Sequence, residues 1–241
     1  PVGLKNNDFS KEWLRDNTKE NISEKNPYYG EYTFYYWYWK NLLEYKKENE
    51  WVGFCSYREY WGNKNNMNSN KLKDLVLQNY ETEWKNYDAI IGEPISIGGT
   101  KIIKVIKYGK LAILRNPKAI FSKSGRTIRW QFDMFHGSGN LDKAIDLLGD
   151  NDREDFRKYT RQNVSFSRGC MFVCRSKKIM NDYYSSLFPW LERCEKIFGF
   201  NLEGYGKTRM YAFLAERYHS YWFNKYTKAL LWPVIFYDIT K

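Results

Sequence analysis

The chain reads as an α/β fold: one domain, residues 1–241, with a mostly parallel sheet flanked by helices. Three observations lead there. Short apolar runs of strand length (WVGFC at 51–55, YDAIIG at 87–92, GCMFVC at 169–174, LLWPVIF at 230–236) alternate with longer stretches of helical periodicity, the order that layers helices on a parallel sheet. Of the 241 residues 43% are hydrophobic and 19% aromatic, which excludes a disordered chain and leaves enough apolar surface for a sizeable core. No internal repeat, low-complexity tract or linker divides the sequence.

The first long element is the most aromatic. Seven of the eight residues from Tyr32 to Trp39 carry rings. A helix is expected from about Pro27 to Lys46, with Tyr32, Tyr35, Tyr36, Trp39 and Leu42/Leu43 on one face and Phe34, Trp37 and Tyr38 covering much of the rest. A helix apolar nearly all round is buried on more than one side. Its tyrosine hydroxyls then need partners, which puts it between the main sheet and a polar cleft. The preceding NISEKN (21–26) suits a loop entering that helix: Ser23 can cap, Pro27 fits the first helical position, and Asn26 is either a plain N-cap or a ligand contact.

WVGFC follows as a short buried strand, then an amphipathic helix over about 70–86, the strand YDAIIG, and a hairpin over 101–115 turning at KYGK. NLDKAIDLL is expected as a helix capped by Asn140, followed by a charged helix at about 151–161 and the strand GCMFVC. Ser176 can cap a long helix through MNDYYSSLFPWLERCEKIF, kinked or divided at Pro189. A last helix spans about 206–223, and LLWPVIF closes the chain as a strand.

The formal charge of +11 asks for an anionic partner. Its Lys and Arg residues are spread along the chain, whereas a nucleic-acid surface gathers them on one face. A diffuse positive field suits a peripheral protein acting on anionic lipid-linked or nucleotide-linked substrates; the bland reading is a solvated basic surface. No run approaches the roughly 18–20 apolar residues of a membrane span, and the opening PVGLKNNDF lacks the features of a signal peptide. The expected location is the cytoplasm, with contact at the inner face of the membrane. Cys55, Cys170, Cys174 and Cys194 read as buried small hydrophobes of a reducing compartment, since Cys-x3-Cys without a second pair is a poor zinc signature. The one Asp-x-Asp, Asp150-Asn151-Asp152, falls in a charged stretch and reads as a solvated loop, so no metal site is expected.

DNTKENISEKNPYYGEYTFYYWYWKN followed by WVGFCSYREYW resembles a bacterial glycosyltransferase family of capsular-polysaccharide and O-antigen gene clusters, many of whose members carry only the label of a domain of unknown function. WQFDMFHGSGNLD (130–142), SRGCMFVC (167–174) and TRMYAFLAERYHSYW (208–222) match its later segments in order, so the resemblance covers nearly the whole chain. Ser56 stands where the family usually has His, RGCMF replaces an asparagine before the methionine, and members usually open with a strand and turn upstream of where this chain begins.

The resemblance implies a single-domain, GT-A-like, Rossmann-type fold. It also implies transfer of a sugar, in the hexosyltransferase class, from a nucleotide-sugar donor (a UDP-sugar favoured) to a growing capsular polysaccharide, O-antigen or lipooligosaccharide acceptor. Such an enzyme must hold a diphosphate, neutralise its leaving charge and position an acceptor hydroxyl. The strand WVGFC is followed by Ser56-Tyr57-Arg58-Glu59 without a carboxylate pair, so metal-independent transfer is expected, with Arg58 stabilising the diphosphate and Tyr57 beside it. Arg58 could instead simply make a surface ion pair with Glu59 or a neighbour. Asn21 and Asn26 are the candidates for base or ribose, and Lys25 for phosphate. Glu31, Gln131 and Asp133 are the acceptor candidates, although Glu31 could pair with Lys25 or Lys40. Asp142 is the candidate base with His136 positioning it, against the alternative of a helix-entry Asp favoured by the dipole. Glu216 is the reserve base; Glu216 and Arg217, adjacent on a helix, face different ways, one toward the site and the other toward a surface pair. Two other classes stay open: a carbohydrate-binding module, which needs exposed rings, and a basic nucleic-acid-binding protein.

Overall fold

The aromatic run forms two helices, not one. In this computed structural model, which describes residues 2–4, 9–56, 58–97, 114, 117–167 and 169–238, α1 (Asn26–Tyr29) stops at Gly30 and α2 (Tyr32–Asn41) restarts after Glu31. Gly30 has φ +58°, a conformation that only glycine adopts without strain. Pro27 lies in the first turn of α1 as expected, but Lys25 and not Asn26 is the cap position. Tyr32, Phe34, Tyr35, Trp37 and Tyr38 are all buried, which bears out a helix enclosed on several sides; Tyr36 and Trp39 alone among the rings of the run stay partly exposed. The hydroxyls find partners: Tyr29 donates to Glu195 at 2.6 Å and Tyr35 to the Cys170 carbonyl at 3.0 Å.

Ten short strands are described: β1 (Val2–Gly3), β2 (Leu14–Arg15), β3 (Val52–Gly53), β4 (Glu59–Trp61), β5 (Ala89–Gly92), β6 (Pro94–Ser96), β7 (Ser165–Ser167), β8 (Phe172–Cys174), β9 (Ala229–Trp232) and β10 (Val234–Phe236). The central sheet runs β3-β8-β5-β9. The α/β class holds, with one correction: β8 is antiparallel to both β3 and β5, and β5–β9 is the one parallel pair of the three, so the sheet is mixed and not mostly parallel. β5 is buried at every residue, the pattern of a strand covered on both faces. Pro233, which cannot donate to a ladder, separates β9 from β10, and β10 leaves the central sheet to pair with β4.

The remaining α-helices among the described residues are α3 (Leu72–Leu75), α4 (Lys118–Phe121), α5 (Ile128–His136), α6 (Asn140–Asp146), α7 (Asp150–Gln162), α8 (Lys177–Phe198), α9 (Tyr205–Thr208) and α10 (Met210–Tyr226). The helix expected over 70–86 shrinks to α3, because Leu77 N–H donates to the Trp61 carbonyl and Asn63 N–H to that of Leu75, pairings that pull the chain into extended structure. The hairpin expected over 101–115 falls outside the described residues apart from Leu114. Gly139, not Asn140, occupies the cap position of α6; the Asn140 amide donates instead to the His136 carbonyl at 2.9 Å. Ser176 caps α8 through Ile179 N–H, and α8 continues past Pro189 undivided. The helix expected over 206–223 is α9 plus α10, and α10 is the centre of the molecule, packed on α1, α7, α8 and β7. Three of the four cysteines are buried as expected, while Cys55 is exposed. Among the described residues no helix is long and apolar enough to cross a membrane.

Candidate active site

On a helix, residues at i, i+3, i+4 and i+7 share a face. Arg209, Ala212, Phe213 and Glu216 follow that spacing at the start of α10, and all four line one cavity of about 130 Å³. Its opposite wall is Tyr29, Glu31 and Tyr32, the residues around the Gly30 break, and its floor is Gly169 and Cys170 leading into β8. Glu31 and Glu216 therefore face one space from two helices.

The two carboxylates are held differently. Glu31 accepts from the Ser56 hydroxyl at 2.7 Å and the Cys170 thiol at 3.0 Å, both uncharged donors. Glu216 accepts from Gly169 N–H at 2.8 Å and pairs with Arg217, whose other arm donates to Gln131 Oε1 at 3.0 Å. Arg217 is 3% exposed, with its guanidinium 4.5 Å from the Phe166 ring centroid. Burial pulls its pKa down, and the Glu216 charge opposes that. Gly169 has φ +80°, a conformation that strains any other residue, and a Cβ there would stand 2.8 Å from a Glu59 carboxylate oxygen, so a third acid adjoins the floor.

Arg209 is the complement. Its guanidinium lies against Gly30, where a Cβ would overlap it, and 5.6 Å from the Tyr205 ring centroid. Among the described residues it makes no ion pair, although two carboxylates share its cavity. It therefore offers free, planar, cationic donors to a ligand, the geometry that matches phosphate oxygens.

The other expected site residues are placed as follows. Asp142 is gripped by Arg129 at 2.7 Å and Arg161 at 3.3 Å; partial burial pushes its pKa up, but the two guanidinium groups overcome this and hold it below the usual carboxylate value. Each of its two oxygens is thus already met by a cation. His136 does not touch Asp142 in any described hydrogen bond: it bonds the Gly206 carbonyl through Nδ1 at 2.8 Å and stacks on Phe213, centroids 4.0 Å apart. Burial first, and then the Arg217 charge, lower its pKa to about 3. Asp133 is buried and accepts from Gly139 N–H at 2.8 Å, shaping the turn between α5 and α6. Gln131 contributes by orienting Arg217.

Asn21 makes a local turn, accepting from Ser23 N–H at 3.1 Å. Lys25 is committed to both oxygens of Glu195 at 2.8 Å, not to Glu31, and Lys40 pairs with Glu20 at 3.5 Å. Asn26 donates to the Gly30 carbonyl at 2.9 Å and so braces the break that presents Glu31. The Arg58 guanidinium lies 5.5 Å from the Phe236 ring centroid. Tyr57 is outside the described residues. Asp150-Asn151-Asp152 is no loop: it opens α7, and Asp152 is buried under hydroxyls of Tyr218, Tyr221 and Tyr226 at 2.8, 2.8 and 2.7 Å, plus Lys225. The cleft beside it is larger, about 760 Å³, yet its buried acid is already fully partnered. Sequence reasoning missed Arg209, Gly30, Gly169 and Cys170. Only the first carried a signal, the seven-residue spacing from Arg209 to Glu216.

Among curated proteins none matches this chain. Among solved structures it is similar to the apo form of WbbM, a bifunctional glycosyltransferase, with a TM-score of 0.64 at 20% identity; the match covers 94% of this chain and 39% of that one, so the two share a fold over less than half the length of WbbM. A family pattern matches residues 1–228, and the chain belongs to the family described as domain of unknown function DUF4422.

Proposed function

We propose that the protein is a glycosyltransferase that moves a sugar from a nucleotide-sugar donor, a UDP-sugar first, to a hydroxyl of a polysaccharide or lipid-linked acceptor. The observation that carries this is the cavity in which two carboxylates face an arginine that neither of them binds. The shared fold with a glycosyltransferase supports it.

In the reaction the acceptor oxygen bonds to the anomeric carbon, the bond from that carbon to the phosphate oxygen breaks, and the acceptor proton leaves. Glu31 takes that proton, because its partners are a hydroxyl and a thiol and no cation has to be displaced or repelled when it does so. Glu216, fixed by Gly169 and Arg217, orients the acceptor. Arg209 meets the charge growing on the departing diphosphate, which a guanidinium can do without a divalent ion. The acceptor class of capsular polysaccharide, O-antigen or lipooligosaccharide follows the family resemblance, and the +11 charge suits work at an anionic inner membrane surface.

A panel of nucleotide sugars, each scored for thermal stabilisation and then for hydrolysis or transfer, tests the reading. One donor should raise the unfolding temperature and turn over in the presence of chelator. No stabilisation by any donor, or activity that returns only with Mn²⁺ or Mg²⁺, would overturn the donor class or the metal independence respectively.

A further inference from the structure

Aromatic rings in this protein are mostly hidden, and Tyr205 is not. It is 71% exposed at the mouth of the cavity, one helical turn before Arg209. Its ring meets Phe213 edge-on, with centroids 6.1 Å apart, and lies 5.6 Å from the Arg209 guanidinium. An open aromatic face next to an unpaired guanidinium matches a ligand that joins a flat ring to an anion.

The short helix α9 that carries Tyr205 is anchored from below. Gly206 packs so tightly that a Cβ there would overlap the Phe135 carbonyl, and its own carbonyl bonds to His136 Nδ1 at 2.8 Å. A carbonyl only accepts, so Nδ1 carries a proton and donates it to Gly206. His136 in turn is wedged against Phe132 and Phe213, centroids 4.7 and 4.0 Å away. The same Phe213 lines the cavity. The histidine is thus tied at once to the cavity wall and to the turn bearing Tyr205.

We propose that Tyr205 is the platform on which the nucleobase of the donor stacks, beside the diphosphate held by Arg209, and that His136 is the positioning residue that keeps this platform in place. The proposal rests on the nucleotide-sugar reading above and adds the residues that recognise the nucleoside diphosphate.

Calorimetric titration of the full chain with UDP, CDP, GDP and dTDP, and separately with inorganic pyrophosphate, tests it. Tyr205→Ala should weaken the nucleoside diphosphate that wild type binds by about tenfold or more, while Tyr205→Phe, which keeps the π-face, stays within about twofold. Pyrophosphate binding should be untouched by Tyr205→Ala and lost in Arg209→Ala. His136→Phe retains the packing against Phe213 but not the bond to Gly206; it should raise the donor KM severalfold and leave kcat at saturating donor near wild type. His136→Gln, whose amide can still donate, should recover part of the loss. If Tyr205→Ala binds the nucleotide as wild type does while Arg209→Ala does not, the platform is wrong and the donor reading stands. If wild type binds none of the four nucleotides, both fall. Should the His136 variants fail to fold, the Tyr205 pair, on an exposed ring, still decides.

Discussion

Glu31 and Asp142 begin alike. Each is an acid at the entry of a helix, each is half-buried, and each sits in a segment that resembles the same family. They end differently. Asp142 is met by two guanidinium groups, Arg129 and Arg161. Glu31 is met by a hydroxyl and a thiol. A carboxylate saturated by cations holds structure together, and its depressed pKa makes it a poor proton acceptor. A carboxylate held only by neutral donors, across a cavity from an unpaired arginine, is kept in place and still available. The distribution of cations, more than the presence of acids, separates scaffold from site.

The sharpest test exchanges the two. Glu31→Gln preserves shape and removes the proton acceptor, and should lower the transfer rate by about 10²–10⁴ with donor binding nearly intact. Asp142→Asn should leave turnover within a few-fold of wild type while destabilising the fold by about 1–3 kcal/mol, since two arginines lose their counter-charge. Transfer rates and denaturant midpoints of the two variants settle which acid does which task; the opposite pattern would restore Asp142 as the base.

The cation side comes next. Arg209→Ala should reduce kcat/KM by about 10²–10³, the loss typical of a donor aimed at developing charge. Gly30→Ala reaches the same arginine from the other wall: it forces an L-residue into φ +58° and drives a methyl into the guanidinium, so it should lower both stability and donor affinity. A Gly30→Ala protein that binds donor normally would show that Arg209 does not need its present seat.

These two positions also mark how far the sequence could be read. The buried strand at Ala89–Gly92, the capped helix after Ser176 and the enclosed aromatic helix follow from local pattern, and the structure has all three. The direction of β8 could not be read, because pairing direction is set by long-range topology and leaves no mark on a three-residue strand. The helix over 70–86 failed because pairing with Trp61 and Asn63 outweighed periodicity. At the site, Glu31 and Glu216 were legible as isolated acids within aromatic helices. What brings them to one cavity, a helix break at Gly30 and a positive-φ glycine at Gly169, depends on backbone angles that a glycine permits and does not announce.

A third comparison sets the core against the rim of the aromatic run. Trp190 is 0% exposed and donates to the Ala144 carbonyl at 2.7 Å. Trp190→Ala should cost about 3–5 kcal/mol. Trp39, half-buried and stacked on Phe188 at 5.6 Å, loses less on truncation, and about 1–2 kcal/mol is expected for Trp39→Ala. Equal losses in denaturant titration would mean that Trp39 is as enclosed as the core.

The last comparison sets buried histidines against a clamped carboxylate, by pH. Both histidines, His136 and His219, are buried, and burial is the main cause that lowers each to a pKa of about 3 from 6.5. The unfolded chain therefore takes up a proton at each as pH falls below 6.5, and the folded chain does not until about pH 3. Stability is greatest above 6.5 and declines through that window, at a slope that rises toward a limit of about 1.4 kcal/mol per pH unit for each histidine. Asp142 acts later and in the same direction: its folded pKa is below 3.8, so the contribution of its arginine clamp is present above 3.8 and disappears as acid protonates it. Unfolding free energies measured at pH 7, 6 and 5 should thus fall stepwise. His219→Phe should flatten that limb by the share of one histidine, and Asp142→Asn should leave it unchanged. A wild-type limb that is level between pH 7 and 5 would show that neither imidazole is held neutral in the fold.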